Sequence, residues 1–197
     1  EEQEDVLGFL NPALSAMHHS LLMKDMKEAV VRLHQAIEDE ERILVYGDYD
    51  VDGATSSALF RRYFAALGMP LQVYIPDRIA EGYGPNAPAL LKLHRDGVKL
   101  VITVDCGITA FDPLAAAKEA GLDVIVVDHH AAEPRLPAAS AVINPNRLDD
   151  DSPHGYLAAA GVTFLVLVGL NRALREAGWF KQRREPDLRQ LLDIVAL

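Results

Sequence analysis

Acidic residues that directly follow short apolar runs are the first candidates for chemistry in this sequence. They are Asp48, Asp50 and Asp52 after residues 43–46, Asp105 after residues 100–104, and Asp128, His129 and His130 after residues 124–127. Carboxylates mixed with imidazole, without a thiolate cluster, suit Mn²⁺ or Mg²⁺ better than structural zinc. Two such ions about 3.5–4 Å apart can activate water and stabilise an in-line displacement at phosphorus. This pattern therefore points to phosphoester hydrolysis.

The elements that must position these residues alternate between strand and helix. The runs before the acids are short and β-branched, as in strands buried on both faces. We predict strands at residues 43–46, 71–75, 100–104, 124–127 and 141–143, and helices at residues 23–38, 54–67, 85–95, 113–120, 157–177 and 188–197. The alternation predicts an α/β fold, with an open, mainly parallel five-stranded sheet and helices on both faces. The carboxyl ends of all its strands then share one edge, where ligands bind.

Length and composition place these elements in one main domain. The chain has 197 residues, of which 50% are apolar, and this is enough for a sizeable core. We expect an N-terminal arm at residues 1–21, a metal-binding α/β domain at residues 22–150, and a helical extension at residues 151–197 that leads to an absent C-terminal part. No apolar run is long enough to span a membrane, and a single cysteine fits a reducing compartment. We therefore expect a cytoplasmic protein without membrane contact.

The net charge of −10 bears on the partner. Nucleic-acid binders usually carry a basic excess, so the charge argues against a surface that grips polyanions by general attraction. Bound divalent cations reverse the local field, and substrate contact is then confined to the metal site. A loop at the same edge carries Arg78 and Tyr83, which can hold a phosphate or stack a base, although ordinary loop contacts explain them about equally well.

A purely structural explanation competes for each acid taken alone. A single aspartate after a strand most often caps a helix, and Asp52 is placed to cap the helix predicted from residue 54. The coincidence of suitable ligand types at three strand ends favours a metal site over three unrelated caps.

Three runs carry a resemblance to a known family. Residues 47–53 (GDYDVDG), 103–107 (TVDCG) and 127–130 (VDHH) resemble the first three motifs of the DHH phosphoesterases. Residues 81–84 (EGYG) and 143–146 (INPN) resemble the RecJ branch of that family, the single-strand-specific 5′-to-3′ DNA exonucleases. The resemblance extends from about residue 22 to the end of the chain.

The resemblance implies a role for each acid and histidine. It implies two Mn²⁺ or Mg²⁺ ions held by Asp50, Asp52, Asp105 and His129. Catalysis then involves Asp105 together with His130, which contacts the scissile phosphate and supports the leaving oxygen. Asp48 and Asp128 are implied as alternative ligands or as residues that hold the ligands in place.

The sequence departs from the family pattern at two points. Tyr46 stands where many DHH proteins carry a metal-binding histidine. The fourth motif, an aspartate expected shortly after Leu197, and the DHHA1-type domain that follows it are not part of these 197 residues. We therefore expect this piece to hold the catalytic fold but to show little or no processive nuclease activity.

The leading functional hypothesis is that of the RecJ branch. The chain is expected to act on single-stranded DNA with a free 5′ end, release nucleoside 5′-monophosphates, and serve DNA repair and recombination with a helicase and a single-stranded-DNA-binding protein. One alternative keeps the metal chemistry but takes oligoribonucleotides, cyclic dinucleotides or polyphosphate, which the acidic net charge fits slightly better. Another is a non-catalytic relative that holds single-stranded DNA without cutting it.

Overall fold

The computed structural model describes residues 22–69 and 71–196, so the predicted N-terminal arm at residues 1–21 lies outside the described residues. The strands are β1 (Ile43–Gly47), β2 (Gln72–Tyr74), β3 (Leu100–Val104), β4 (Asp123–Val127) and β5 (Ala141–Ile143). The α-helices are α1 (Met26–Glu38), α2 (Val51–Ala66), α3 (Ala87–Arg95), α4 (Phe111–Glu119), α5 (Ala159–Glu176) and α6 (Leu192–Val195). Short 3₁₀ helices cover Trp179–Lys181 and Leu188–Leu191.

The five strands form a single sheet in the order β2-β1-β3-β4-β5, and every neighbouring pair is parallel. The prediction of a parallel five-stranded α/β sheet is confirmed. The chain leaves β1 towards β2 and then returns to β3 on the other side of β1, which creates a topological switch point between β1 and β3. A crevice opens at such a point beyond the carboxyl ends of the strands.

The register aligns the carboxyl ends of four strands. Gly47 pairs with Val104, Val104 with Val127, and Val127 with Ile143. The next residue of each strand therefore stands in the same row, although the strands are far apart in sequence.

Helices cover both faces of the sheet. On one face α5 packs between α1 and α2, and their apolar side chains share one core with alternate residues of the strands. On the other face α3 and α4 pack over a second core that includes Tyr46 and Cys106. Helix α1 buries Met26, Val30, Leu33 and Ile37 in the first of these cores. The predicted boundary at residue 150, between the α/β domain and the helical extension, stays a prediction. Helix α5, which follows this boundary, shares one core with α1 and α2.

Apart from the last helix, the predicted helix ends lie within about three residues of the observed ones. Two differences have a physical reason. Helix α2 begins at Val51 rather than near residue 54, because Asp50, and not Asp52, is its N-cap. The helix predicted over residues 188–197 consists instead of a 3₁₀ turn and a single α-helical turn, begun by Asp187, whose side chain accepts from Arg189 N–H. Within the described parts of the chain, no helix is both long and apolar enough to cross a bilayer.

Candidate metal centre and active site

A row of polar residues lies along the carboxyl edge of the sheet, one after each of four strands. Asp48 follows β1, Asp105 follows β3, Asp128 follows β4 and Asn144 follows β5. The backbone N–H of each aspartate donates to the carbonyl of the neighbouring strand's last residue, over 3.0 to 3.4 Å. All four are buried, with exposed fractions between 0% and 4%. Backbone pairing thus fixes their spacing before any side chain makes a contact.

The backbone of the loop after β1 passes very close to the backbone at the start of α2. The Asp50 side chain accepts from Gly53 N–H at 3.0 Å and caps the helix. A Cβ atom on Gly53 would lie 2.5 Å from the carbonyl oxygen of Asp48, so only glycine permits this close approach of the two backbone segments. Capping and close packing together hold the Asp48 and Asp50 carboxylates at the switch point.

Asp105 is the central carboxylate of the site. Its backbone lies in the left-handed region with φ of 60°, a conformation that aspartate tolerates better than most residues. Its side chain belongs to both groups of potential metal ligands in the described residues, one with Asp48 and Asp50, the other with His129 and His130. In each group the ligand atoms lie within 4.8 Å of one another. A carboxylate common to both groups is suited to bridge two cations.

Asp52 and His129 connect this centre to α5. The Asp52 carboxylate accepts from the backbone N–H groups of Ala159 and Ala160, each at 2.9 Å. The N-cap residue of α5 is Ala158, so a carboxylate from α2 takes the place of a capping side chain. His129 Nε2 lies 3.6 Å from Asp52 Oδ2 and 3.3 Å from Asp105 Oδ1. Asp52 is thus a helix cap, as its sequence position indicated, but for a helix more than one hundred residues away.

Asp128 organises the two histidines. Its Oδ1 accepts from His129 N–H at 2.8 Å and from His130 N–H at 3.1 Å, and lies 2.7 Å from His130 Nδ1. Its Oδ2 accepts from Ile108 N–H at 3.0 Å. The hydrogen bond with Asp128 raises the pKa of His130 to about 9. Burial alone would raise the pKa of Asp128, but its hydrogen bonds with His130 and Ile108 lower it.

The acids repel one another in the absence of a cation. Burial raises the pKa of Asp105 to about 8, and the nearby Asp50 and Asp52 carboxylates add to the shift. Burial and the Asp50 charge also raise the pKa of Asp48. Among the described residues, neither Asp48 Oδ1 nor Asp105 Oδ1 forms a hydrogen bond, although His129 Nε2 lies 3.3 Å from Asp105 Oδ1. Buried carboxylate oxygens without donors are the groups that a divalent cation satisfies, so the donor set fits Mn²⁺ or Mg²⁺.

The loop between β2 and α3 stands beside the acids. Tyr83 donates from its hydroxyl to Asp105 O at 3.2 Å, and its ring meets the His130 ring edge-on at 6.4 Å. Arg78 lies 4.3 Å above the Tyr49 ring. The buried Tyr46 donates to Gly84 O at 3.1 Å and so fastens this loop to β1.

Comparison with known proteins decides the family. The model of the DHH family, N-terminal domain, matches residues 42–197. The chain belongs to the DHH family. The single-stranded-DNA-specific exonuclease RecJ of Bacillus subtilis is 43% identical over 189 residues, which cover 96% of this chain and 22% of the relative. The chain spans less than one third of the length of such curated RecJ relatives.

Solved structures of RecJ proteins share the fold of this DHH domain. A crystal structure of exonuclease RecJ bound to manganese superposes with a TM-score of 0.74 and 36% identity, over 88% of this chain and 42% of that chain. RecJ of Thermus thermophilus in complex with Mn²⁺ gives a TM-score of 0.72 and 31% identity, over 95% of this chain and 25% of that chain. The expected resemblance to RecJ-type DHH proteins is confirmed.

The structure brings the acids and histidines that the sequence singled out to the carboxyl edge of the sheet, with Arg78 and Tyr83 in the loop beside them. Asp48 stands with Asp50 and Asp105, whereas Asp52 is engaged with α5. Sequence reasoning missed the backbone N–H groups of residues 159 and 160, and it treated residues 143–146 only as a family marker. No local pattern indicates the first contact, because the partners are distant in sequence.

Proposed function

We propose that this chain is the catalytic domain of a single-stranded-DNA-specific 5′-to-3′ exonuclease that hydrolyses phosphodiester bonds and releases nucleoside 5′-monophosphates. The convergence of carboxylates and imidazoles around the buried Asp105 carries the proposal. The RecJ relatives support single-stranded DNA as the substrate. We further propose that the protein acts in the cytoplasm, in DNA repair and recombination, beside a helicase and a single-stranded-DNA-binding protein.

The residues that would hold two Mn²⁺ or Mg²⁺ ions lie at the carboxyl edge of the sheet. We propose Asp50, Asp52, Asp105 and His129 as ligands, with Asp48 as an alternative. Manganese in the related RecJ structures supports this choice of metal. When bound, the two ions supply an activated water and charge stabilisation at phosphorus. Asp105, which belongs to both ligand groups, is the natural shared carboxylate.

His130 is proposed as the residue that acts on the leaving oxygen. Asp128 occupies its Nδ1, which leaves Nε2 as the nitrogen available to a phosphate. The side chain is 48% exposed, so a substrate can reach it. The hydrogen bond to Asp128 raises the pKa of His130 and so favours the form in which both nitrogens carry a proton. Nε2–H can therefore donate to a phosphate oxygen and support negative charge as the bond to the leaving oxygen breaks.

Arg78 and Tyr83 are proposed as substrate contacts. Arg78 stacks on Tyr49, and Tyr83 is 52% exposed beside His130. A guanidinium can hold a phosphate, and an exposed aromatic ring can stack a base. Recognition confined to these groups would let a protein of net charge −10 bind a polyanion locally.

The decisive experiment measures hydrolysis by the full-length protein with Mn²⁺. We expect release of mononucleotides from a long single strand with a free 5′ end, little from a duplex or a 5′-blocked strand, and none after chelation. His130→Ala should lower kcat by about 10²–10⁴-fold. Faster hydrolysis of a dinucleotide than of the long strand would favour the alternative in which the protein acts on small substrates such as oligoribonucleotides or cyclic dinucleotides. Binding of single-stranded DNA without hydrolysis would favour the alternative of a non-catalytic protein that holds the strand without cutting it.

A further inference from the structure

Two backbone carbonyls at the site each receive a side-chain amide from the segment that follows β5. Asn144 Nδ2 donates to His130 O at 2.8 Å. Asn146 Nδ2 donates to His129 O. The peptide groups that carry the two candidate site histidines are therefore held by two asparagines from another strand.

The orientation of both amides is determined by their hydrogen-bond partners. A carbonyl oxygen only accepts, so Nδ2 and not Oδ1 must face each histidine carbonyl. Asn144 Oδ1 in turn accepts from the Asn146 backbone N–H at 2.8 Å. Asn144 is fully buried, with an exposed fraction of 0%. Each asparagine thus fixes the other, and the pair forms one unit.

This unit is anchored to the body of the fold by Arg147. Its buried guanidinium donates to Asp25 Oδ2 at 2.7 Å, at the start of α1, and to Val142 O at 2.6 Å in β5. It also makes two hydrogen bonds to Asp149, at 2.8 and 2.9 Å. None of these partners belongs to the metal site, so the asparagines are held in place whether or not an ion is bound.

The asparagines complete what Asp128 begins. Asp128 accepts from the N–H groups of His129 and His130, and the two amides donate to the C=O groups of the same residues. All four backbone polar groups of the histidine pair are then fixed from both sides. A side chain follows the direction of its backbone, so each ring is aimed before an ion or substrate arrives.

We propose that Asn144 and Asn146 are positioning residues that aim His129 and His130 at the acidic centre, and this role rests on the proposed function of the site. Neither asparagine is a ligand or a catalytic residue in this proposal. Their effect passes through the histidine backbone alone, because their amides reach the carbonyls of these residues.

The test uses near-isosteric, uncharged variants of the protein, Asn144→Leu and Asn146→Leu. The matched control is Asn171→Leu, which removes an amide on α5 that is about as buried as that of Asn144, is bonded to Tyr63 and Glu185, and is remote from the site. We expect the Mn²⁺ dissociation constant to rise about 10–100-fold in the first two variants, as for residues that hold metal ligands in place. The control should change it less than about threefold, although it loses comparable thermal stability.

A second readout needs no metal. Imidazole ¹⁵N spectra of the chelated protein should show shifted or broadened His129 and His130 signals in Asn144→Leu and Asn146→Leu, and unchanged signals in the control. Unchanged spectra in a folded Asn146→Leu variant, whose side chain is only partly buried, would overturn the proposal. If wild-type protein binds no Mn²⁺ while the two variants still show the spectral change, the proposed function is refuted and the positioning role stands.

Discussion

Helices α2 and α5 contribute to two polar clusters at opposite ends of their shared length, and the two clusters differ in how well their atoms are paired. At the amino ends lie Asp50 and Asp52 of α2, with the first N–H groups of α5. At the other end, Tyr63 of α2 meets Asn171 of α5. Asp50 and Tyr63 are 13 positions apart in sequence, which corresponds to about 20 Å of helix.

The distal cluster is satisfied by the protein itself. Tyr63 donates to Asn171 Oδ1 at 3.1 Å, Asn171 Nδ2 donates to Glu185 Oε1 at 2.7 Å, and Arg175 pairs with the same carboxylate. At the carboxyl edge of the sheet, by contrast, one buried carboxylate oxygen of Asp105 and one of Asp48 form no hydrogen bond within the described part of the chain. Paired polar groups hold a fold together, whereas unpaired carboxylates crowded at one point indicate a site built for a ligand.

The sharpest way to break this comparison is Asp105→Asn. We expect the Mn²⁺ affinity to fall by more than about 100-fold, because the variant removes the carboxylate that we propose as a ligand of both ions. Loss of a residue that only holds ligands in place typically costs about 10–100-fold. The chelated variant should nevertheless be at least as stable as wild type at pH 9, since repulsion with Asp50 and Asp52 is relieved. Calorimetric titration and thermal unfolding measure the two effects. A metal-free variant that is clearly less stable would mean that Asp105 is structural.

The second change tests the loop after β1. Gly53→Ala puts a Cβ 2.5 Å from a backbone oxygen that cannot move aside, and we expect a loss of about 3 kcal/mol in unfolding free energy. The control is Gly161→Ala, in the first turn of α5, whose Cβ would meet the flexible Leu157 side chain at 3.1 Å. Its cost should be offset by a helix-propensity gain of about 1 kcal/mol. Denaturant titration compares them, and equal losses would contradict the close-packing argument.

The fold and the row of acids could be predicted because both depend on local patterns. Short β-branched runs end at Asp48, Asp105 and Asp128, and parallel pairing forces such residues to one edge. The sequence indicated that Asp52 caps a helix, but not which helix it caps. Its position favours a cap, but its partner on α5 comes 107 residues later, and no local rule identifies that partner.

Other features depend on geometry that the sequence does not display. In the sequence Asn144 and Asn146 were only part of a family marker, and their amides reach the histidine carbonyls because β4 and β5 are neighbours. The end of the chain was predicted as one helix from its apolar residues. The segment forms a 3₁₀ turn and a single α-helical turn instead. These two turns are enough to place its apolar side chains against the first core.

The cluster at the carboxyl edge should also make the stability of the chelated protein depend on pH. The pKa of Asp105 in the folded protein, about 8, lies above its ordinary 3.8, so chelated protein loses stability as pH rises through this window. His130, raised from 6.5 to about 9, adds a loss in the same direction. The slope should not exceed about 1.4 kcal/mol per pH unit for each proton. Unfolding of chelated protein between about pH 5 and 9 measures it. Asp105→Asn should flatten it, and an equal slope in that variant would count against the assignment.

The smallest expected effect comes from the satisfied cluster. Tyr63→Phe removes one hydroxyl and leaves Asn171 Oδ1 buried without its donor, which should cost about 1–2 kcal/mol in unfolding free energy. Because the paired end of α2 and α5 only stabilises the fold, Mn²⁺ affinity and the pH slope should stay at their wild-type values. Denaturant titration and metal titration of the same samples test both statements. A loss of metal affinity in Tyr63→Phe would show that the two ends are coupled through the helices, and the contrast between a structural end and a functional end would then no longer hold.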